Sequence, residues 1–200
     1  MCYYGNTKSK EVILMKQKIS TRRIVLAALM AALTVVGSGL RITLPVSIMG
    51  TTAFHLGNIF CALSGILLGP GLGGLAAGLG SMIYDMLNPA YIDECLITFV
   101  MKGAYGLITG LIVWTGKHHI SYPKLTIATT AGAVTYAALY LAKNYFKGIW
   151  VKGLVPMASA IALLEKVPAT IFNAVVAIIF APMLGIAIRK ALEQNHLSLN

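Results

Sequence analysis

The chain has 200 residues, 58% of them hydrophobic and only 11% charged, whereas a soluble domain carries roughly 25% charged residues to cover its surface. Those proportions exclude a water-soluble globular fold and leave lipid as the solvent for most of the chain. The formal charge of +10 does not point to nucleic acid: Lys8, Lys10, Lys16, Lys18, Arg22 and Arg23 precede the first apolar run, with no interleaved aromatics around them. Basic residues of a membrane protein collect on its cytoplasmic side.

Residues 1–20 read as a disordered, basic cytoplasmic segment, with Met15, followed at once by Lys-Gln-Lys, as the natural start. No cleavable signal peptide is expected, because the run from Ile24 is span-length and no A-x-A-like site follows it. Crossing the roughly 30 Å hydrocarbon core takes about 20 helical residues. Residues 24–44 satisfy this. Residues 54–68 are short and break at Gly69-Pro70-Gly71, and residues 72–87 stop at Asn88-Pro89. Residues 95–115 form a fourth span closed by Gly116-Lys117-His118-His119, and residues 125–142 a fifth, ended by the polar stretch 143–152. The run 153–188 is too long for one straight helix. It divides into an outer re-entrant or surface segment (about 153–163) and a span from about Leu164, with Pro168 tolerated near its start.

The expected fold is therefore an all-α integral membrane protein of six transmembrane helices, one domain over 21–190 with a tail at 191–200. Lys and Arg in short loops set the orientation. With both termini cytoplasmic, the inside receives the N-terminal basic residues, Lys117, Lys124, Arg189 and Lys190, and the outside Arg41, Lys143, Lys147 and Lys152.

Cys2, Cys61 and Cys95 are odd in number and far apart, so they read as small hydrophobes rather than ligands or a disulfide framework. Gly74-x-x-x-Gly78 and Ala76-x-x-x-Gly80 read as a seam where helix backbones approach closely. Gly69, Gly71 and Gly74 also match a dinucleotide fingerprint, but no strand-to-helix context accompanies them. There is no His-Glu-x-x-His, no Cys/His pair at ligand spacing and no nucleophile elbow, so no metal, cofactor or enzymatic activity is expected.

Ionisable and polar side chains in a membrane are costly and mark function by default. Here they fall on helical stripes: His55 and Asn58; Ser81, Asp85 and Asn88; Thr98, Lys102, Tyr105 and Thr109; Thr129, Tyr136 and Tyr140; Lys166, Thr170 and Asn173. With the termini inside, the ionisable members gather in the outer half, which describes a pocket open outward rather than a continuous pore. Each has a plainer reading. Lys102 could snorkel to the interface on its long stem, or pair with Asp85 as a structural ion pair. Glu165 and Lys166 could be solvated at a helix start, and His55 could hydrogen-bond a neighbouring helix. Tyr91 and Trp150 could be interfacial belt residues or cover the cavity. His118-His119 sits in a basic turn and is expected to be solvated.

The first span reads Thr21-Arg22-Arg23-Ile24-Val25-Leu26-Ala27-Ala28-Leu29-Met30-Ala31-Ala32, and Ala27/Ala31 and Ala28/Ala32 make smooth faces for another helix. This resembles the first helix of the substrate-binding S components of energy-coupling factor (ECF) vitamin transporters. The resemblance continues through His55-Leu56-Gly57-Asn58, Leu67-Leu68-Gly69-Pro70, Gly73 to Gly78 and Asp85-Met86-Leu87-Asn88-Pro89, from about Lys16 to Lys190. It implies a subunit of a prokaryotic cell membrane that binds a water-soluble vitamin from outside. Such a subunit docks on a transmembrane T component, driven by two cytoplasmic ATPases, and topples to release its ligand. The docking surface would be Ala27, Ala28, Ala31 and Ala32, and the loop over about 45–53 would act as a lid. The ligand site would draw on His55, Asn58, Asp85, Asn88, Tyr91, Lys102, Tyr105, Trp150, Lys166 and Asn173. Among vitamins, pantothenate is favoured by resemblance, with cobalamin and pyridoxine-type ligands next; the lysines would suit a carboxylate, although Asp85, Asp93 and Glu94 blunt that argument. The alternatives are a stand-alone secondary transporter using Asp85 and Lys102 as a proton relay and a non-transporting scaffold subunit. No inverted repeat supports the first, and the polar stripes are unexplained by the second.

Overall fold

The computed structural model describes residues 20–46, 50–115 and 121–195. The expected start at Met15, the basic residues before Ser20, part of the expected lid, the Lys117-His118-His119 turn and the last residues of the tail lie outside them. Among the described residues there are seven α-helices: α1 (Thr21–Gly39), α2 (Gly57–Leu68), α3 (Pro70–Met86), α4 (Cys95–Trp114), α5 (Tyr122–Trp150), α6 (Pro156–Leu163) and α7 (Val167–Gln194). Four of them, α1, α4, α5 and α7, are long and apolar enough to cross a membrane.

The second and third expected spans are shorter, for a reason that burial supplies. Helix α2 has 12 residues, about 18 Å of length, and every residue but Phe60 is buried. An apolar helix of that length is a core helix surrounded by others. Its C-terminal carbonyls are satisfied by neighbours. Arg23 Nη2 donates to Leu68 O at 2.7 Å, while Arg189 Nη2 and Trp114 Nε1 both donate to Ile66 O. Both guanidinium groups also lie over the Trp114 ring, at 5.4 and 5.8 Å. Cations at a helix C-terminus complement its dipole, so this cluster ties α1, α2, α4 and α7 together at the end that carries the termini. Gly69, at φ +80°, then turns the chain directly into α3.

Two expectations are corrected by the path of the chain. The first helix ends at Gly39, and β1 (Arg41–Val46) and β2 (Gly50–His55) pair as an antiparallel hairpin, in which Arg41 faces His55 and Thr43 faces Ala53. The polar stretch 143–152 does not end the fifth helix. Helix α5 continues to Trp150 because Lys143, Asn144 and Lys147 break no helix and share one face; the chain turns only near Gly153, at φ +68°. The expected outer segment 153–163 contains the short helix α6, and α7 runs on through the expected tail to Gln194.

The glycine seam expected on α3 is met by a second on α4. A Cβ at Gly74 would lie 3.0 Å from Gly103 O, and one at Gly106 would lie 2.7 Å from Gly73 O. Backbone cannot retreat as a side chain does. Gly106→Val should therefore lower thermal stability in detergent by about 1–3 kcal/mol, the usual cost of overpacking; an unchanged melting temperature would refute the close approach of α3 and α4.

Candidate ligand cavity

The extended face of β2 and the ends of α1, α3, α4, α5 and α7 enclose a cavity of about 350 Å³, within the size range of small-molecule sites. Ser38 lines it from the last turn of α1, and Ala169, Thr170 and Asn173 from the first turns of α7. It therefore opens at the end of the bundle remote from Thr21 and Gln194.

Most of its polar groups are held by one another. Asn173 joins the hairpin to α7: its Nδ2 donates to Ala53 O at 2.9 Å and its Oδ1 accepts from the His55 N–H at 2.9 Å. Phe54 packs edge-on against Phe172 beside it. The His55 ring accepts from the Gly57 N–H at 3.2 Å and so caps the start of α2. Glu94, from the short turn Ile92–Glu94, accepts from Lys143 at 2.6 Å and also from Lys147.

Lys102 is a deeply buried cation, 3% exposed. It donates to Asn58 Oδ1 and lies 4.1 Å from the centre of the Tyr136 ring. The direct ion pair with Asp85 does not form, and the Lys102 ammonium is bonded to Asn58 instead. Nor does Lys102 snorkel outward, since it lines the cavity while fully enclosed by α2, α4 and α5.

Of the ten residues expected at the site, the cavity is lined by His55, Asp85, Tyr91, Lys102, Lys166 and Asn173. The other four stand off it. Asn58 sits behind Lys102 as its acceptor. Asn88 holds the turn after α3, accepting from the Ala90 N–H and donating to the Tyr84 hydroxyl. Tyr105 is buried under Tyr136, ring centres 6.1 Å apart, and its hydroxyl has no partner among the described residues. Trp150 is 78% exposed and stacks on Phe146, away from the cavity. Sequence reasoning left out Arg41, Tyr84, Glu94, Tyr136 and Tyr140, all of which line it. The signal was present for the two tyrosines, which share a stripe on α5.

On α1 the four alanines divide. Ala27 and Ala31 pack inward with Met30, Leu63 and Leu67, and the Ala31 carbonyl meets Gly80 of α3. Ala28 and Ala32 are exposed on the opposite side, in line with Ile24 and Val36.

Residues 18–190 match the family described as ECF-type riboflavin transporter, S component. The chain belongs to that family. An S component is the substrate-binding subunit of a vitamin transporter and not an enzyme, with ATP hydrolysis residing in partner modules, and the apolar helices fit a multi-pass membrane protein. A relative from Pyrococcus woesei, described as an uncharacterized protein in gap 3'region, is 32% identical over 114 residues, which is 57% of this chain and 72% of the relative.

Proposed function

We propose that this S component takes a water-soluble vitamin from outside a prokaryotic cell into the cavity between β2 and α3, α4, α5 and α7. It then delivers the ligand to a T component and two cytoplasmic ATPases. The observation that carries the reading is the placement of the cavity at the end remote from Thr21 and Gln194. The basic residues at those ends favour a cytoplasmic location for both, so the cavity faces outward. In this reading α1 to α5 and α7 form the six-helix membrane domain, with α2 enclosed by the rest.

Riboflavin, the ligand in the family's description, heads the list of vitamins to test. The relatives lend no support to pantothenate; what favours a carboxylate as a second reading is the cationic lining of the cavity. Uptake into membrane vesicles separates the S-component reading from a stand-alone secondary transporter. It should require internal ATP and be indifferent to a proton ionophore while ATP is maintained. Ionophore-sensitive uptake without ATP would sink the proposal.

A further inference from the structure

We infer that the ligand of this cavity is an anion, a carboxylate or phosphate carried on a small water-soluble molecule. The inference rests on the reading of the cavity as the substrate site and goes further by assigning the ligand's charge, which places an anion such as flavin mononucleotide ahead of neutral riboflavin.

The first observation is a charge imbalance. Arg41, Lys102, Lys143, Lys147, Lys152 and Lys166 line the cavity against only two carboxylates, Asp85 and Glu94. Counting Glu165, which bears on Lys166 from beside the cavity, still leaves an excess of three positive charges. The tendency of basic residues to stay on the cytoplasmic side accounts for Arg22, Arg23, Arg189 and Lys190 at the other end, and it works against cations here.

The second observation is how three of the lining cations are held. Lys102 lies over Tyr136 at 4.1 Å, Lys143 over Tyr140 at 5.2 Å, and Arg41 over Tyr84 at 5.2 Å and Tyr91 at 4.7 Å. A ring face steadies a cation without neutralising it. A cavity built for a neutral ligand would pair such charges with carboxylates, because an uncompensated buried charge is costly. Lys143 alone of the three has one, Glu94, which it shares with Lys147.

The third observation is spare donor capacity facing the same space. Arg41 Nη1 donates to the Tyr84 hydroxyl at 2.8 Å, but its buried Nε–H has no acceptor among the described residues. Lys102 carries three N–H bonds and has Asn58 as its one hydrogen-bond acceptor. An oxyanion supplies both charge and lone pairs to these donors.

The test titrates the purified full chain in nanodiscs with ligands paired by charge: riboflavin against flavin mononucleotide, pantothenol against pantothenate, pyridoxal against its phosphate. In any pair that binds, the charged member should be tighter by about tenfold or more, and its affinity should fall as salt rises. Arg41→Gln should shrink that preference, weakening the charged member by a larger factor than the neutral one. From about pH 7 to about pH 9 the anion should weaken further as Lys166 loses its proton. Burial pushes the Lys166 ammonium down to about 8, with Lys143 and Lys152 acting in the same direction and Glu94 and Glu165 opposing it. A neutral member that binds as tightly as its charged partner overturns the inference and leaves the transport reading standing. If no pair binds, the small molecule released from protein purified from native membranes decides: retention on an anion exchanger supports an anion, and a neutral compound overturns it. A protein that binds no pair and retains no small molecule overturns the cavity reading and this inference together.

Discussion

Lys102→Met should yield a folded protein that has lost its ligand, with affinity reduced by about 2–5 kcal/mol, the range for truncating one partner of a buried charged pair. Methionine keeps most of the volume of the lysine stem, so the packing of α4 against α2 and α5 survives. The folding cost falls on Asn58, whose carbonyl oxygen loses its donor; an orphaned buried acceptor costs about 1–3 kcal/mol. Asp85 should be little affected, because it makes no direct ion pair with Lys102. If Lys102 served only to balance Asp85, the single variant would be unstable, and Lys102→Met with Asp85→Leu would recover both folding and binding. Calorimetric titration of the two variants tells these apart. Unchanged affinity in a stable Lys102→Met protein would eliminate the assignment of Lys102 to the site.

That Lys102 could be singled out without a structure reflects how the bilayer filters a sequence. A lysine in the middle of an otherwise apolar 20-residue helix has few neutral explanations, and α4 itself was legible within a residue because polar turns close both its ends. The same filter hid Glu94, Lys143 and Lys147. They lie beyond the apolar run, where charge is ordinary, and nothing in the spacing reveals that α5 projects far enough for Lys143 and Lys147 to meet Glu94 across a gap of 49 and 53 residues. The hairpin was hidden for another reason. Residues 41–46 follow the apolar run of α1 without a break, and their strand pairing is stabilised from a distance, by Asn173 at the start of α7. A stripe pattern identifies which face of a helix is polar, but not which stripe member reaches the cavity. Tyr105 and Tyr136 share the polar character of their helices, and only stacking order decides that Tyr136 lines the cavity while Tyr105 lies beneath it.

The division of the α1 alanines sharpens the prediction about docking. Ala28→Trp and Ala32→Trp should each reduce ATP-driven uptake to background while leaving ligand affinity of the isolated protein unchanged. Both positions are exposed, so in the absence of a partner the indole meets lipid and α1 keeps its contacts with α2 and α3. The cavity begins only at Ser38, at the far end of the helix. Docking differs, because helices in lipid associate by close approach of small residues and a bulky ring holds them apart. Ala31→Trp provides the internal control. Its side chain turns toward Met30, Leu63 and Leu67, and its carbonyl already meets Gly80, so that variant should lose stability and binding together. Measuring uptake, affinity and melting temperature for the three variants separates a docking surface from a packing surface. Normal uptake in both Ala28→Trp and Ala32→Trp would show that this face of α1 meets no partner during transport.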